Sequence, residues 1–129
     1  MVRTREPGGT PVGEKLRSLV LDHGHGQIDA RTEALIFAAS RAAHVEQVIL
    51  PALGRGDVVG CDRYIDSAVA YQGAGRNLGT DEVRSINEWA TGGLAPDLTV
   101  LLDVDPEAGR SRRTAADTAR QGRAVPLVT

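Results

Sequence analysis

The sequence predicts an α/β fold in which a parallel sheet is flanked by helices, and three features predict it. A helical period runs from Asp29 to about Gly54, a short apolar segment follows at Asp57–Asp62, and a second stands at Leu98–Val104. Apolar runs of about four to eight residues between helices are the pattern of buried parallel strands. A chain of 129 residues is long enough for one domain, and 41% hydrophobic content is enough for one core.

Each element has a local reason. Pro7 to Pro11, P-G-G-T-P, is a turn or loop. Val12 to Asp22 places Leu16, Leu19 and Val20 at helical spacing among charged residues, and Gly24 and Gly26 end that helix. Asp29 is placed to cap the long helix, whose apolar positions Ala34, Leu35, Ala38, Ala42, Val45, Val48 and Ile49 keep a helical period. Asp57-Val58-Val59-Gly60-Cys61-Asp62 reads as a buried strand that ends in an acid. Thr80 to Thr91 reads as a helix capped by Thr80, with Asp81 and Glu82 favourable in its first turn. Leu98 to Val104 is the strongest strand signal in the chain, and Asp105-Pro106-Glu107 opens a helix that turns Arg-rich. From Thr114 to Thr129 apolar periodicity fades, so this tail is expected to be mobile.

Composition narrows the function. A net charge of −2 gives no reason to expect nucleic acid or an anionic membrane as partner. No apolar stretch approaches the roughly 20 residues that span a bilayer, and the first residues lack the apolar segment of a signal peptide. A cytoplasmic location is the expectation. Cys61 is the only cysteine, so no internal disulfide forms. Lys15 is the only lysine, and the other basic residues are arginines. Either a coding bias or the bidentate grip of guanidinium on phosphate accounts for this.

Three constellations carry chemistry. In a doubly wound sheet, ligands bind beyond the carboxyl ends of the strands. Asp62-Arg63-Tyr64 stands at that edge, where a carboxylate serves Mg²⁺ or its waters and a guanidinium forks onto phosphate oxygens. A plain surface ion pair is the competing reading. Tyr71-Gln72 follows a stretch with helical character: a tyrosine can wall a sugar, and a glutamine amide offers a base edge one donor and one acceptor group. Phe37 and Arg41 lie four apart on one face of the long helix. They suit a base stack and a donor to a base carbonyl, although a lone Phe on a helix is more often core. Thr4-Arg5-Glu6-Pro7-Gly8-Gly9-Thr10 adds strand-end charge and a tight turn that brings backbone near a ligand. His23-Gly24-His25-Gly26 has too few ligands for a metal site, and His44 reads as a surface or interface residue.

These segments together resemble the thymidylate kinase family. T-R-E-P-G-G-T at Thr4–Thr10, L-I-F-A-A-S-R at Leu35–Arg41, D-R-Y-I-D-S-A-V-A-Y-Q-G at Asp62–Gly73 and P-D-L-T-V-L-L-D-V at Pro96–Val104 stand in the family's order, over about residues 3–113. The resemblance implies a P-loop kinase-like fold, incomplete here. It implies phosphoryl transfer from ATP to thymidine monophosphate, with Mg²⁺, in a homodimer. It places Phe37 on thymine, Arg41 and Gln72 at the thymine edge, Tyr71 against the deoxyribose, and Arg5 and Arg63 on the acceptor phosphate. Asp62 would serve the metal, and Arg110 and Arg113 would open a mobile basic lid.

The pattern also departs from the family. No G-x-x-x-x-G-K-[ST] loop occurs in the 129 residues, and Lys15 lies in a predicted helix. Residues 1–113 therefore read as a partial kinase-like domain, and residues 114–129 as the start of a lid or a divergent tail. The expectation is a fragment or degraded copy lacking the P-loop and the C-terminal part, either a kinase or a catalytically inactive remnant that binds nucleotide or dimerises.

Overall fold

The computed structural model describes residues 1–22, 24 and 26–121. It divides the chain into two compact units, Met1–Ala95 and Pro96–Thr129. The division follows Gly92-Gly93-Leu94-Ala95, where the sequence pattern gave no boundary.

The first unit is built on a parallel pair of strands, β1 (Val2–Arg5) and β2 (Val59–Asp62), in the register Val2↔Val59 to Arg5↔Asp62. Parallel strands need a crossover connection, and three helices supply it: α1 (Pro11–Leu21), α2 (Ala30–His44) and α3 (Leu50–Gly54). Thr10 caps α1 by accepting from the Gly13 amide, and Pro11 follows at the first helical position, where a missing N–H costs nothing. Asp29 caps α2 as expected, accepting from the amide and hydroxyl of Thr32, and these bonds hold its carboxyl below the usual range. Between α2 and α3 the chain makes a π-helical turn at Val45–Ile49, so residues 30–54 form one helical rod with a bulge near its middle.

After β2 come α4 (Ile65–Ala68), a second π-helical stretch at Val69–Gly75, and α5 (Thr80–Ala90). The cap of α5 differs from expectation. Gly79, at φ 99°, occupies that position and Thr80 is the first helical residue. A left-handed backbone there is open to glycine and strained for threonine. The core is made of small and branched side chains, Ala34, Ala38, Val45, Ile49, Ala52, Ala68 and Val83. The helical rod supplies most of them, which explains why a chain so poor in aromatics can still pack.

The second unit contains α6 (Pro106–Gln121). Asp105 opens it by accepting from the Glu107 amide. The helix runs past Thr114, so the start of the expected mobile tail is helical to Gln121. Leu98–Val104 forms no strand, contrary to expectation. Leu98, Leu101 and Leu102 are 79–85% exposed. A strand exists only by pairing, and among the described residues the sole sheet is β1–β2.

Candidate functional site

The parallel register brings the carboxyl ends of β1 and β2 together, so Arg5 and Glu6 stand beside Asp62 and Arg63. The Glu6 amide donates to the Asp62 carbonyl at 2.9 Å, which extends the ladder to the edge where both strands deliver their charged residues. Arg63 is held at φ 68°, a left-handed conformation costly for a residue with a Cβ. The Cys61 thiol donates to the Arg63 carbonyl at 3.1 Å, and burial pushes that thiol up to about 12, so it stays a neutral donor. The Tyr64 hydroxyl donates to the Leu94 carbonyl at 2.9 Å, fixing the other side of the turn. Burial raises the Tyr64 hydroxyl above its ordinary value, which also keeps it protonated.

Arg63 is exposed, and its guanidinium carbon lies 5.9 Å from the centroid of the Tyr71 ring, within cation–π range. Tyr71 is itself 57% exposed, so its ring is a surface wall rather than packing. Arg5 donates to Glu14 at 2.8 Å and to the Pro7 carbonyl at 3.0 Å. The Gly9 amide also donates to Glu14, and these contacts hold the Glu14 carboxyl below its usual value, the amide contributing most. Gly8 and Gly9 have φ of 119° and 85°, and a Cβ on Gly9 would lie 2.7 Å from the His44 ring. The turn therefore requires glycine both for its backbone angles and for its close approach.

Behind this edge lies a buried polar cluster. Glu6 accepts from Arg41 Nε through one carboxylate oxygen, and its other oxygen lies 2.8 Å from His44 Nδ1. His44 Nε2 lies 2.5 Å from the Thr4 hydroxyl. Arg41 Nη1 donates to Asn87, which in turn donates to the Val83 carbonyl. The Glu6, Arg41 and His44 side chains are 2%, 5% and 0% exposed. His44 is thus core, not the surface residue its mid-helix position suggested. A helical period records apolar residues and is silent about a polar side chain whose hydrogen bonds are met.

Glu6, His44 and Cys61 offer atoms within 4.8 Å of one another, a spacing that would suit a metal. Both Glu6 oxygens and both His44 ring nitrogens are already engaged in hydrogen bonds, so the cluster is satisfied as it stands. His23 and His25 lie outside the described residues.

A family model described as thymidylate kinase matches residues 1–124. The chain belongs to the thymidylate kinase family. It is 55% identical over 109 residues to a thymidylate kinase of Lactobacillus helveticus, covering 84% of this chain and 51% of that protein. It is 58% identical over 118 residues to one of Clavibacter sepedonicus, covering 92% and 56%, and 50% identical over 123 residues to one of Halalkalibacterium halodurans, covering 95% and 59%. The chain therefore spans about half the length of the curated relatives it matches.

Of the residues singled out by resemblance to thymidylate kinases, Arg5, Asp62 and Arg63 meet at the strand ends, and Tyr71 lies against Arg63. Arg41 is buried with two side-chain partners, Phe37 is half-buried one turn before it, and Gln72 is buried. Arg110 and Arg113 lie exposed on α6 in the second unit. Sequence reasoning missed the structural weight of Glu6, His44 and Asn87. Only the charge of Glu6 inside an otherwise turn-forming motif hinted at it.

Proposed function

We propose that this chain carries the acceptor side of a phosphotransferase that moves a phosphoryl group from ATP to thymidine monophosphate, giving the diphosphate. The observation that carries the reading is the convergence of Arg5 and Asp62-Arg63 at one sheet edge, in front of the fixed Arg41. Two guanidiniums at a strand edge suit a phosphate dianion. Phe37 stacks on the thymine and Arg41, held through Nε and Nη1, offers Nη2 to a base carbonyl. Gln72 meets the same base edge, and Tyr71 walls the sugar. Asp62 is exposed and has no ion-pair partner among the described residues, which fits a hard cation that keeps phosphate and water oxygens. Mg²⁺ bound there with ATP would offset charge on the transferring group. Arg110 and Arg113 begin a mobile basic lid whose guanidiniums would approach the transferred phosphoryl group. Residues 1–113 would be a partial kinase-like domain and residues 114–129 the start of a lid or a divergent tail, the last eight lying outside the described residues, in a cytoplasmic protein. In the described residues, no helix is long and apolar enough to cross a membrane. Titrating the purified chain with thymidine monophosphate in a calorimeter tests the site; absence of saturable binding overturns it.

A second reading, nucleotide binding without turnover, is favoured by one observation. The 129 residues contain no G-x-x-x-x-G-K-[ST], and Lys15 lies exposed within α1. Phosphoryl transfer depends mainly on positioning and charge, which that loop supplies for the donor. The 129-residue polypeptide alone is expected to release ADP far below the rate of about 1 s⁻¹ that marks the low end for kinases. A coupled ADP assay with both nucleotides saturating checks this, and a rate at or above that value refutes it.

Homodimerisation through the helical rod is part of the proposal. Val45 is buried in the chain's own core, but Leu35, Leu50 and Leu53 are exposed along the rod, and Trp89 on α5 is 85% exposed. Apolar surface of this kind marks association sites. Sedimentation equilibrium is expected to show a dimer, with a folded monomer at high concentration as the contrary result.

A further inference from the structure

Glu33, Phe37 and Arg41 follow one another at four-residue steps along α2, so they share one helix face. Glu33 also reaches across to the stretch after α4. Its Oε1 accepts from Gln72 Nε2 at 3.3 Å, and its Oε2 accepts from Arg76 Nη1 at 2.8 Å. Arg76 is tied in turn to the Ile28 carbonyl at 3.1 Å, so the carboxylate is held between two donors. An amide can turn over about its terminal torsion and exchange its oxygen for its nitrogen, and only its partners decide which way it sits. An ionised carboxylate accepts and never donates. Glu33 therefore admits only the Nε2 side of Gln72, and the carbonyl oxygen Oε1 takes the opposite side of the amide plane.

We infer that Glu33 is a specificity-determining positioning residue, locking Gln72 so that it presents an acceptor to the base. This rests on the proposed thymine site. The chemistry follows directly. A thymine ring carries an N3–H donor, which a fixed acceptor pairs with. A cytosine ring carries a lone pair at N3, which the same oxygen repels. Glu33 thus converts an amide able to pair with either ring into one that selects thymine, while Arg76 holds the carboxylate in place.

Glu33→Gln tests this, because it preserves size but can both donate and accept, and so frees the Gln72 amide to turn. The natural chain and the variant are titrated with thymidine monophosphate and with deoxycytidine monophosphate. The expected result is a fall of about tenfold or more in the affinity ratio of the two nucleotides, the size of about one hydrogen bond gained or lost, with the melting temperature little changed. A second variant, Gln72→Leu, removes the acceptor itself and should weaken thymidine monophosphate binding more than deoxycytidine monophosphate binding, since thymine loses a partner and cytosine loses only a repulsion. An equal loss toward both nucleotides in Glu33→Gln overturns the positioning role and leaves the site standing. Failure of the natural chain to bind thymidine monophosphate overturns the site itself, and this role with it.

Discussion

Arg63→Gly is expected to weaken thymidine monophosphate binding by about 2–5 kcal/mol, the range for deleting one partner of a charge pair that is desolvated in the complex. Glycine is the informative replacement because Arg63 sits at φ 68°. Alanine would lose the guanidinium and keep the backbone strain. Glycine loses the guanidinium and relieves strain of about 1 kcal/mol, so the fold should hold or gain slightly while affinity collapses. Tyr71 loses its cationic neighbour in the same variant. Calorimetric titration beside a thermal melt separates the two effects. Unchanged affinity in the folded variant would remove Arg63 from the phosphate site.

Glu6→Ala is expected to destabilise the chain by about 3–5 kcal/mol, the cost of stranding a buried charge whose partner has been removed. Both oxygens of Glu6 are engaged, by Arg41 and by His44, and all three side chains are shielded from water. Alanine leaves the Arg41 guanidinium with Asn87 alone and His44 with Thr4 alone. The magnitude comes less from the lost attraction than from the uncompensated guanidinium in a poorly solvated place. Urea unfolding measures it, and a change below about 1 kcal/mol, the scale of an exposed pair, would mean that water reaches the cluster. A surface pair such as Arg55–Asp57, on side chains 62% and 35% exposed, is the control expected to cost little.

Much of the architecture was legible because it depends on neighbours in sequence. The Asp29 cap acts on Thr32, three residues on, and the Asp57–Asp62 segment alternates with helices as a parallel strand must. The charged strand end at Asp62-Arg63 was legible for the same reason. The Glu6 cluster was not, because its bonds join residues 35, 38 and 46 positions apart. No local pattern encodes such a pairing. Glu33 was hidden likewise: its value lies in reaching Gln72, 39 positions away. Leu98–Val104 failed in the opposite sense. Its apolarity was read as the character of a strand, yet apolarity does not supply the neighbouring backbone that makes one.

The π-helical turn at Val45–Ile49 makes the rod one residue longer than an unbroken α-helix would need to join the same two faces. Each residue turns an α-helix by about 100°. Everything beyond the bulge is therefore phased by that single extra residue, including Ala52, which is wholly buried. A thymidylate kinase that lacked it would present a different stripe of its rod to the core from Leu50 onward, and its sequence would align with this one only across a one-residue gap. Length along this helix is thus a structural variable in its own right, distinct from residue identity.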